Sequence, residues 1–383
     1  MKLDELVAER SVIVVCGAGG VGKTTSSAAL GLAAARMGRR ALVLTIDPAK
    51  RLAQALGIPP TGKEPVRIAD ELFEKAGIEL PEGGQLDAWM LDPKVVLESV
   101  VDRFAPEPAD AERIRATRLY QALGEVISGL QEYTAAEALY ELHLQNRYDL
   151  IVLDTPPSRN ALDFLDAPRR LARFLDERTI SIFAPDIVKK PGAMVRAASR
   201  IVHTALSKTF GESFADELQR FLAAFGKLFG RMREHAAGVR ELLTSPASSF
   251  IVVTSPDEAA LEEALFFRGR IQELGLKPDG FVLNRSYASD QTVRKPSDEA
   301  GTVDSPQLVT ALEKLIPLAV VESERLESDR ALYERLERES ARGGGHGAFA
   351  LPFLDEAVED LGALDLLSEH VLAASQARTS GQG

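Results

Sequence analysis

The run Gly17-Ala-Gly-Gly-Val-Gly-Lys-Thr24 satisfies the spacing G-x-x-x-x-G-K-[ST]. Glycines at these positions let backbone N–H groups turn inward around an anion, and a following helix adds its positive end to the same charge. Lys23 is then placed to reach the β- and γ-phosphate oxygens of ATP, and the Thr24 hydroxyl to ligate Mg²⁺. Gly19, Gly20, Val21, Gly22, Lys23, Thr24 and Thr25 are the residues expected on the nucleotide. Two carboxylates stand where phosphate chemistry needs them. Asp154 ends the apolar run Tyr148–Leu153, so it is expected at the carboxyl edge of a sheet, holding magnesium through water. Asp47 ends a second run, Arg40–Ile46, and can orient or deprotonate an attacking water. Asp47 also suits the N-cap of the helix that follows it, and the two roles are compatible.

These residues need a scaffold, and the flanking sequence supplies one. Ser11–Cys16 is a short β-branched apolar run of the buried parallel-strand type. Thr24–Met37 is rich in Ala and Leu and reads as a helix stopped by Gly38. Arg40–Ile46, Leu86–Leu91, Tyr148–Leu153, Ser249–Thr254, Gly280–Asn284 and Ala348–Leu354 read as strands. Helices are expected at Ala49–Leu56, Lys94–Phe104, about Ala111–Leu144, Asp257–Leu274, Gln307–Leu315, Val321–Arg342 and about Asp365–Ala374. Residues 57–84 read as loop with short elements, and 285–305 as a polar loop. Strands alternating with helices give an α/β fold with a doubly wound, mostly parallel sheet. Residues 160–245 have a helical pattern throughout and no strand signal. The division expected is therefore a core of residues 1–160 and 246–375, a helical insertion over 161–245, and a flexible tail over 376–383.

Composition narrows the function. The chain has 383 residues, 45% of them hydrophobic, enough for a large core. A net charge of −12 argues against a general nucleic-acid binder, and none is expected as a partner. The single cysteine, Cys16, lies in an apolar strand run and reads as a small core residue. The N-terminal residues lack a signal-peptide pattern and no segment reaches the roughly 18 apolar residues of a membrane span, so a cytoplasmic protein is expected.

Gly19–Thr25, Thr45-Ile-Asp-Pro-Ala49 and Asp154-Thr-Pro-Pro157 together resemble the arsenical-pump and tail-anchored-protein-targeting ATPases, in the class that includes nitrogenase iron protein and the Min/Par ATPases. Ser128-Gly-Leu-Gln-Glu132, Phe281-Val-Leu-Asn284 and Leu351-Pro-Phe-Leu354 followed by Glu356 resemble further segments of that family, in order along most of the chain. The resemblance implies that Asp47 lies in switch I and positions the hydrolytic water. It implies that Asp154 begins switch II and that Asn284 and Pro352 contact adenine. The working unit would be a homodimer, or a heterodimer with a paralogous ATPase, closed by ATP and opened by hydrolysis. Three departures stand out. The family's loop reads G-K-G-G-V-G-K-T, and the signature lysine position here is Ala18; that lysine reaches the partner's nucleotide. Lys50, Arg51, Arg159 or a paralogous partner are the substitutes available. Neither a cysteine triad for arsenite nor a CxxC for zinc is present.

The helical block carries its own pattern. Phe214, Leu218, Phe221, Leu222, Phe225, Leu228, Phe229 and Met232 share one helical face, and Met194, Ala198, Ile201 and Ala205 share another. Between Lys189 and Glu241 there are ten Lys/Arg against five Asp/Glu. Such faces form the core of a helical subdomain, or a groove for an apolar helix or anionic membrane surface. His203 and His235 lie in this block without metal-ligand spacing. The leading expectation is a nucleotide-driven dimeric switch that binds and releases a hydrophobic client or membrane partner. The alternatives are a Min/Par-type positioning ATPase on a membrane or DNA scaffold, and an ATP-consuming ligase of related fold.

Overall fold

The computed structural model describes residues 3–45, 51–59, 62–105, 107–117, 120, 130–156, 193–289, 306–354, 358 and 360–373. Eight strands form one sheet: β1 (Val12–Gly17), β2 (Arg40–Thr45), β3 (Val66–Arg67), β4 (Gln85–Met90), β5 (Leu150–Asp154), β6 (Ser248–Thr254), β7 (Pro278–Ser286) and β8 (Ala348–Pro352). Their order is β3-β4-β2-β5-β1-β6-β7-β8, and every pair is parallel except the antiparallel β3–β4 edge. Chain order suits a β2 adjacent to β1; instead β5 lies between them and pairs with both. β1 is thus the point where the winding reverses, with β5 on one side and β6 on the other, and ligands of such sheets bind beyond the carboxyl ends there.

The twelve helices of the described residues are α1 (Leu3–Glu9), α2 (Lys23–Arg36), α3 (Arg51–Leu56), α4 (Asp70–Ala76), α5 (Pro93–Phe104), α6 (Pro108–Arg115), α7 (Leu130–Leu144), α8 (Ala193–Phe210), α9 (Glu212–Thr244), α10 (Glu258–Glu273), α11 (Pro306–Arg342) and α12 (Leu361–Ala373). Strand residues alternate between two cores. Val12, Val14 and Cys16 face one, with Phe104, Leu139 and Val239. Ile13 and Val15 face the other, with the alanines of α2 and with Leu364 of α12. Covering both faces leaves β1, β5 and β6 buried along their whole length, which is why they read as unbroken apolar runs. Among the described residues no helix is long and apolar enough to cross a membrane.

Several elements differ from the sequence reading. α4 and β3 are short elements of the kind expected within residues 57–84, and α4 is closed by Gly77 at φ 71°, whereas the bounds of others shift. The helix expected over Ala111–Leu144 ends first at Arg115. There Thr117 donates both its backbone N–H and its hydroxyl to the Ile114 carbonyl, closing the last turn. α11 runs unbroken through Pro317, where two helices were expected; proline permits this because it deletes a single ladder bond. α12 begins at Leu361 and not near Asp365. β7 extends to Ser286 and passes into a 3₁₀ turn, Tyr287–Ser289, where a loop was expected. Asp329 of α11 holds that turn, accepting from the Ser286 hydroxyl and the Tyr287 N–H.

The two described helices of this block differ in burial. Phe221 and Met232 of α9 are buried in the sheet's own core. The side chains of Leu222, Phe225, Leu228 and Phe229, and residues 157–192, lie outside the described residues. On α8, by contrast, Met194 and Ile201 are 85% and 71% exposed. The two histidines serve as ties: His203 meets Asp216 across α8 and α9 at 3.0 Å, and His235 meets Glu137 at 2.9 Å. Glu137 of α7 is fully buried and also accepts from Arg103 of α5 at 3.2 Å, so one carboxylate joins α5, α7 and α9. Glu137→Ala is therefore expected to lower stability by roughly 1–3 kcal/mol, because it removes a fully buried carboxylate from its half-buried partners Arg103 and His235, of which Arg103 keeps Glu141. The urea midpoint checks this, and Glu137→Gln, which keeps the shape and an acceptor, should lose about half as much.

Candidate functional site

The glycine-rich turn leaves β1 at Gly17 and enters α2 at Lys23. Two of its glycines have no substitute. A Cβ on Gly17 would fall 2.2 Å from the Val253 carbonyl oxygen of neighbouring β6. Gly22, the α2 N-cap, has φ 91°, and a Cβ there would fall 2.0 Å from Asn284 Nδ2. No side chain caps α2, so its first-turn N–H groups and dipole are left facing the turn. Gly19 and Gly20 are exposed at the tip, Val21 is buried beneath it, and Thr25 is half-buried on the first helical turn.

Lys23 is buried, and its ammonium group donates to the Ala18 carbonyl oxygen at 2.7 Å. The cation therefore stands inside the ring of main-chain groups from Ala18 to Lys23. Asp154, fully buried at the end of β5, accepts from the Thr24 hydroxyl at 2.8 Å and from the Thr45 hydroxyl at 2.9 Å. Its neighbour Thr155 donates its hydroxyl to the Val15 carbonyl at 2.8 Å, fastening the end of β5 to β1. Hydroxyl and carboxylate oxygens of this kind are hard donors, and the Thr24–Asp154 pair fits a magnesium ion.

The expected base-binding residues lie near the ends of the neighbouring strands β7 and β8. Asn284, buried on β7, donates its side-chain amide to the Val21 carbonyl at 2.9 Å. Pro352 ends β8 in register with Ser286 of β7. Beyond them the Tyr287 and Phe353 rings stack with centroids 5.5 Å apart and planes at 21°. Lys23, Thr24, Asp154, Asn284 and Pro352 are thus gathered at the carboxyl edge of β5, β1, β7 and β8. Asp47, Lys50 and Arg159 lie outside the described residues, as does the Arg51 side chain. Thr45 was not singled out as a site residue. Its signal was a lone hydroxyl closing an apolar strand, just before Asp47-Pro48. Cys16 sits one residue before the turn, and burial pushes its thiol up to about 12; the Thr155 hydrogen bond and the Lys23 charge only partly offset this.

Residues 10–296 match the model of the family described as "Anion-transporting ATPase". The chain is 21% identical over 280 residues to "Putative arsenical pump-driving ATPase 1" of Aquifex aeolicus, an alignment covering 72% of this chain and 63% of that protein. It is 27% identical over 296 residues to "Protein Rv2184c" of Mycobacterium tuberculosis, covering 74% and 61%. It is 27% identical over 197 residues to "ATPase get3" of Schizosaccharomyces japonicus, covering 50% and 56%. The chain thus spans under two thirds of the length of each of these relatives.

Two outcomes follow from the geometry. Gly22→Ala should destabilise the fold by roughly 2–4 kcal/mol, combining a positive-φ penalty with the Asn284 clash. Combined with Asn284→Ala it should cost less than the sum of the singles, since the clash is then removed; urea denaturation of the four proteins reads the difference. Cys16 should react with a maleimide at pH 8 at least about a hundredfold more slowly in the native chain than in the urea-unfolded one.

Proposed function

This chain belongs to the anion-transporting ATPase family, and we propose that it binds and hydrolyses ATP with Mg²⁺ at the Gly17–Thr24 turn, using the nucleotide cycle to open and close a dimer. The dimer would hold and release a hydrophobic helix or a membrane protein. The observation that carries the reading is the Asp154 carboxylate with the Thr24 and Thr45 hydroxyls on it. Through these two bonds one acid ties the phosphate turn to the ends of β2 and β5, the strands that lead into residues 46–50 and 157–192.

In this reading Lys23 exchanges the Ala18 carbonyl for phosphate oxygens, and the main-chain amides of Gly19 to Thr25 complete the cradle. Thr24 and Asp154 hold the metal, which neutralises charge on the phosphates. Asp47 positions the attacking water, and Asn284 and Pro352 contact adenine. Ala18 brings no cation to a partner's nucleotide, so turnover needs a cation from Lys50, Arg51, Arg159 or a paralogous subunit to neutralise the charge that develops on the phosphates. Residues 161–245 serve as the client-binding insertion on a core of 1–160 and 246–375, with Met194 and Ile201 exposed and Arg196 and Arg200 beside them.

ATPase turnover of the purified chain, measured with its mass with and without ATP and Mg²⁺, tests the proposal. Lys23→Ala should weaken ATP binding by about ten- to a hundredfold, the worth of a charge-assisted hydrogen bond. Asp154→Asn should lower turnover by about a hundredfold or more without losing the fold. Ile201→Lys should reduce capture of an apolar helical peptide while leaving turnover intact. An unchanged mass in every nucleotide state, together with capture indifferent to ATP, would sink the switch.

A further inference from the structure

α11 runs through two different environments. From Ser323 onward one face is buried, at Ser323, Leu326, Asp329, Leu336 and Ser340, with the three-to-four spacing of a packed helix. From Lys314 to Glu322 no residue is buried. Leu315 and Leu318 are 56% and 61% exposed, and Ile316, Val320 and Val321 stand open as well, so apolar groups point in every direction. A helix apolar all round belongs in an interior. Pro317 adds to the difficulty, because it withdraws a ladder N–H at the centre of this segment. Two such turns gain little helical stability from water alone.

We propose that Lys314–Glu322 packs against the same segment of a second copy of the chain, the two helices antiparallel about a two-fold axis at Leu318. The sequence is close to a palindrome about that residue. On Leu318's own face Leu315 and Val321 lie three positions either side of it, and Lys314 and Glu322 four; Ile316 and Val320, two positions either side, lie on the opposite face. In an antiparallel pair each Lys314 comes level with the partner's Glu322, and apolar residues come level with apolar residues. A self-complementary patch of this kind is what an isologous contact requires. A lipid surface fits less well: Glu313 precedes the segment and Glu322, Glu324 and Glu327 follow it, which repels anionic headgroups. An unrelated apolar helix would leave the opposed end charges without purpose.

The proposal takes from the dimer reading above only that the partner is another copy, and it needs no nucleotide. Two turns of helix cover far less than the ~800 Å² per partner of a standard interface, so a weak pair is expected, visible at tens to hundreds of micromolar. Sedimentation equilibrium of the full chain without nucleotide measures it. Lys314→Glu and Glu322→Lys should each weaken association by about fivefold, and the double swap should return to within about twofold of the parent. Leu318→Glu sets two carboxylates against each other on the axis and should weaken it more than about tenfold. Its urea midpoint should stay unchanged, because the site is exposed. Lys23→Ala should associate like the parent, so failure of the nucleotide reading and failure of this one are separable. A parent monomeric throughout, a Leu318→Glu variant that associates normally, or a double swap no better than the singles would overturn the proposal. So would a monomeric chain that floats with phosphatidylcholine–phosphatidylglycerol vesicles through Leu318.

Discussion

The carboxylate of Asp154 is the junction on which the site is built. It is fully buried at the end of the strand that separates β1 from β2, and its Oδ2 receives the hydroxyls of both Thr24 and Thr45. A buried charge is tolerated only where hydrogen bonds replace its water. Here that requirement also fixes the spacing of three elements: the first turn of α2, the end of β2 and the end of β5. Thr155 adds a fourth constraint by bonding the Val15 carbonyl. Whatever enters the glycine-rich turn meets an acid that itself ends β5 and is also bonded to the end of β2. Few other places in an open parallel sheet couple one ligand to two strand ends, and the reversal of winding at β1 creates this one.

The same economy explains how the turn is held. Lys23 is buried, so its ammonium needs an acceptor, and the Ala18 carbonyl provides it. That bond uses the main chain and is indifferent to the residue type at position 18. The substitution there therefore leaves the local cradle intact and removes only what a long cation would do beyond it. Asn284 plays the matching role from β7. Its amide satisfies the Val21 carbonyl, and its closeness explains why position 22 admits no Cβ.

Much of this was legible because burial on both sheet faces writes itself as apolar runs. β1, β5 and β6 were located to within about two residues on that signal, and the glycine-lysine-threonine spacing located the turn. Strand order was not legible, since nothing in Leu150–Asp154 says that it inserts between β1 and β2. Thr45 was missed because a single hydroxyl at a strand end is an ordinary terminator until its partner is known. α4, one of the short elements expected over 57–84, was not placed because Gly and Pro density there masks the acidic first turn, Asp70-Glu71, and the left-handed Gly77 that bracket it. Pro317 misled in the opposite sense: proline is a boundary signal, but an exposed helix can forgo one hydrogen bond and continue.

Continuity through Pro317 matters because α11 reaches from the open apolar segment to the edge of the site. Asp329, two turns beyond Glu322, holds the Ser286–Tyr287 turn, and burial raises its carboxyl above the usual range while those two hydrogen bonds pull it down. Ser286 is two residues from Asn284, and Asn284 holds Val21. One run of backbone and hydrogen bonds thus joins the projecting helix to the phosphate turn. Contiguity alone does not transmit a signal; it needs an element with two arrangements that both ends can bias. The Lys23 ammonium is one candidate for such an element, because the Ala18 carbonyl and a phosphate compete for it.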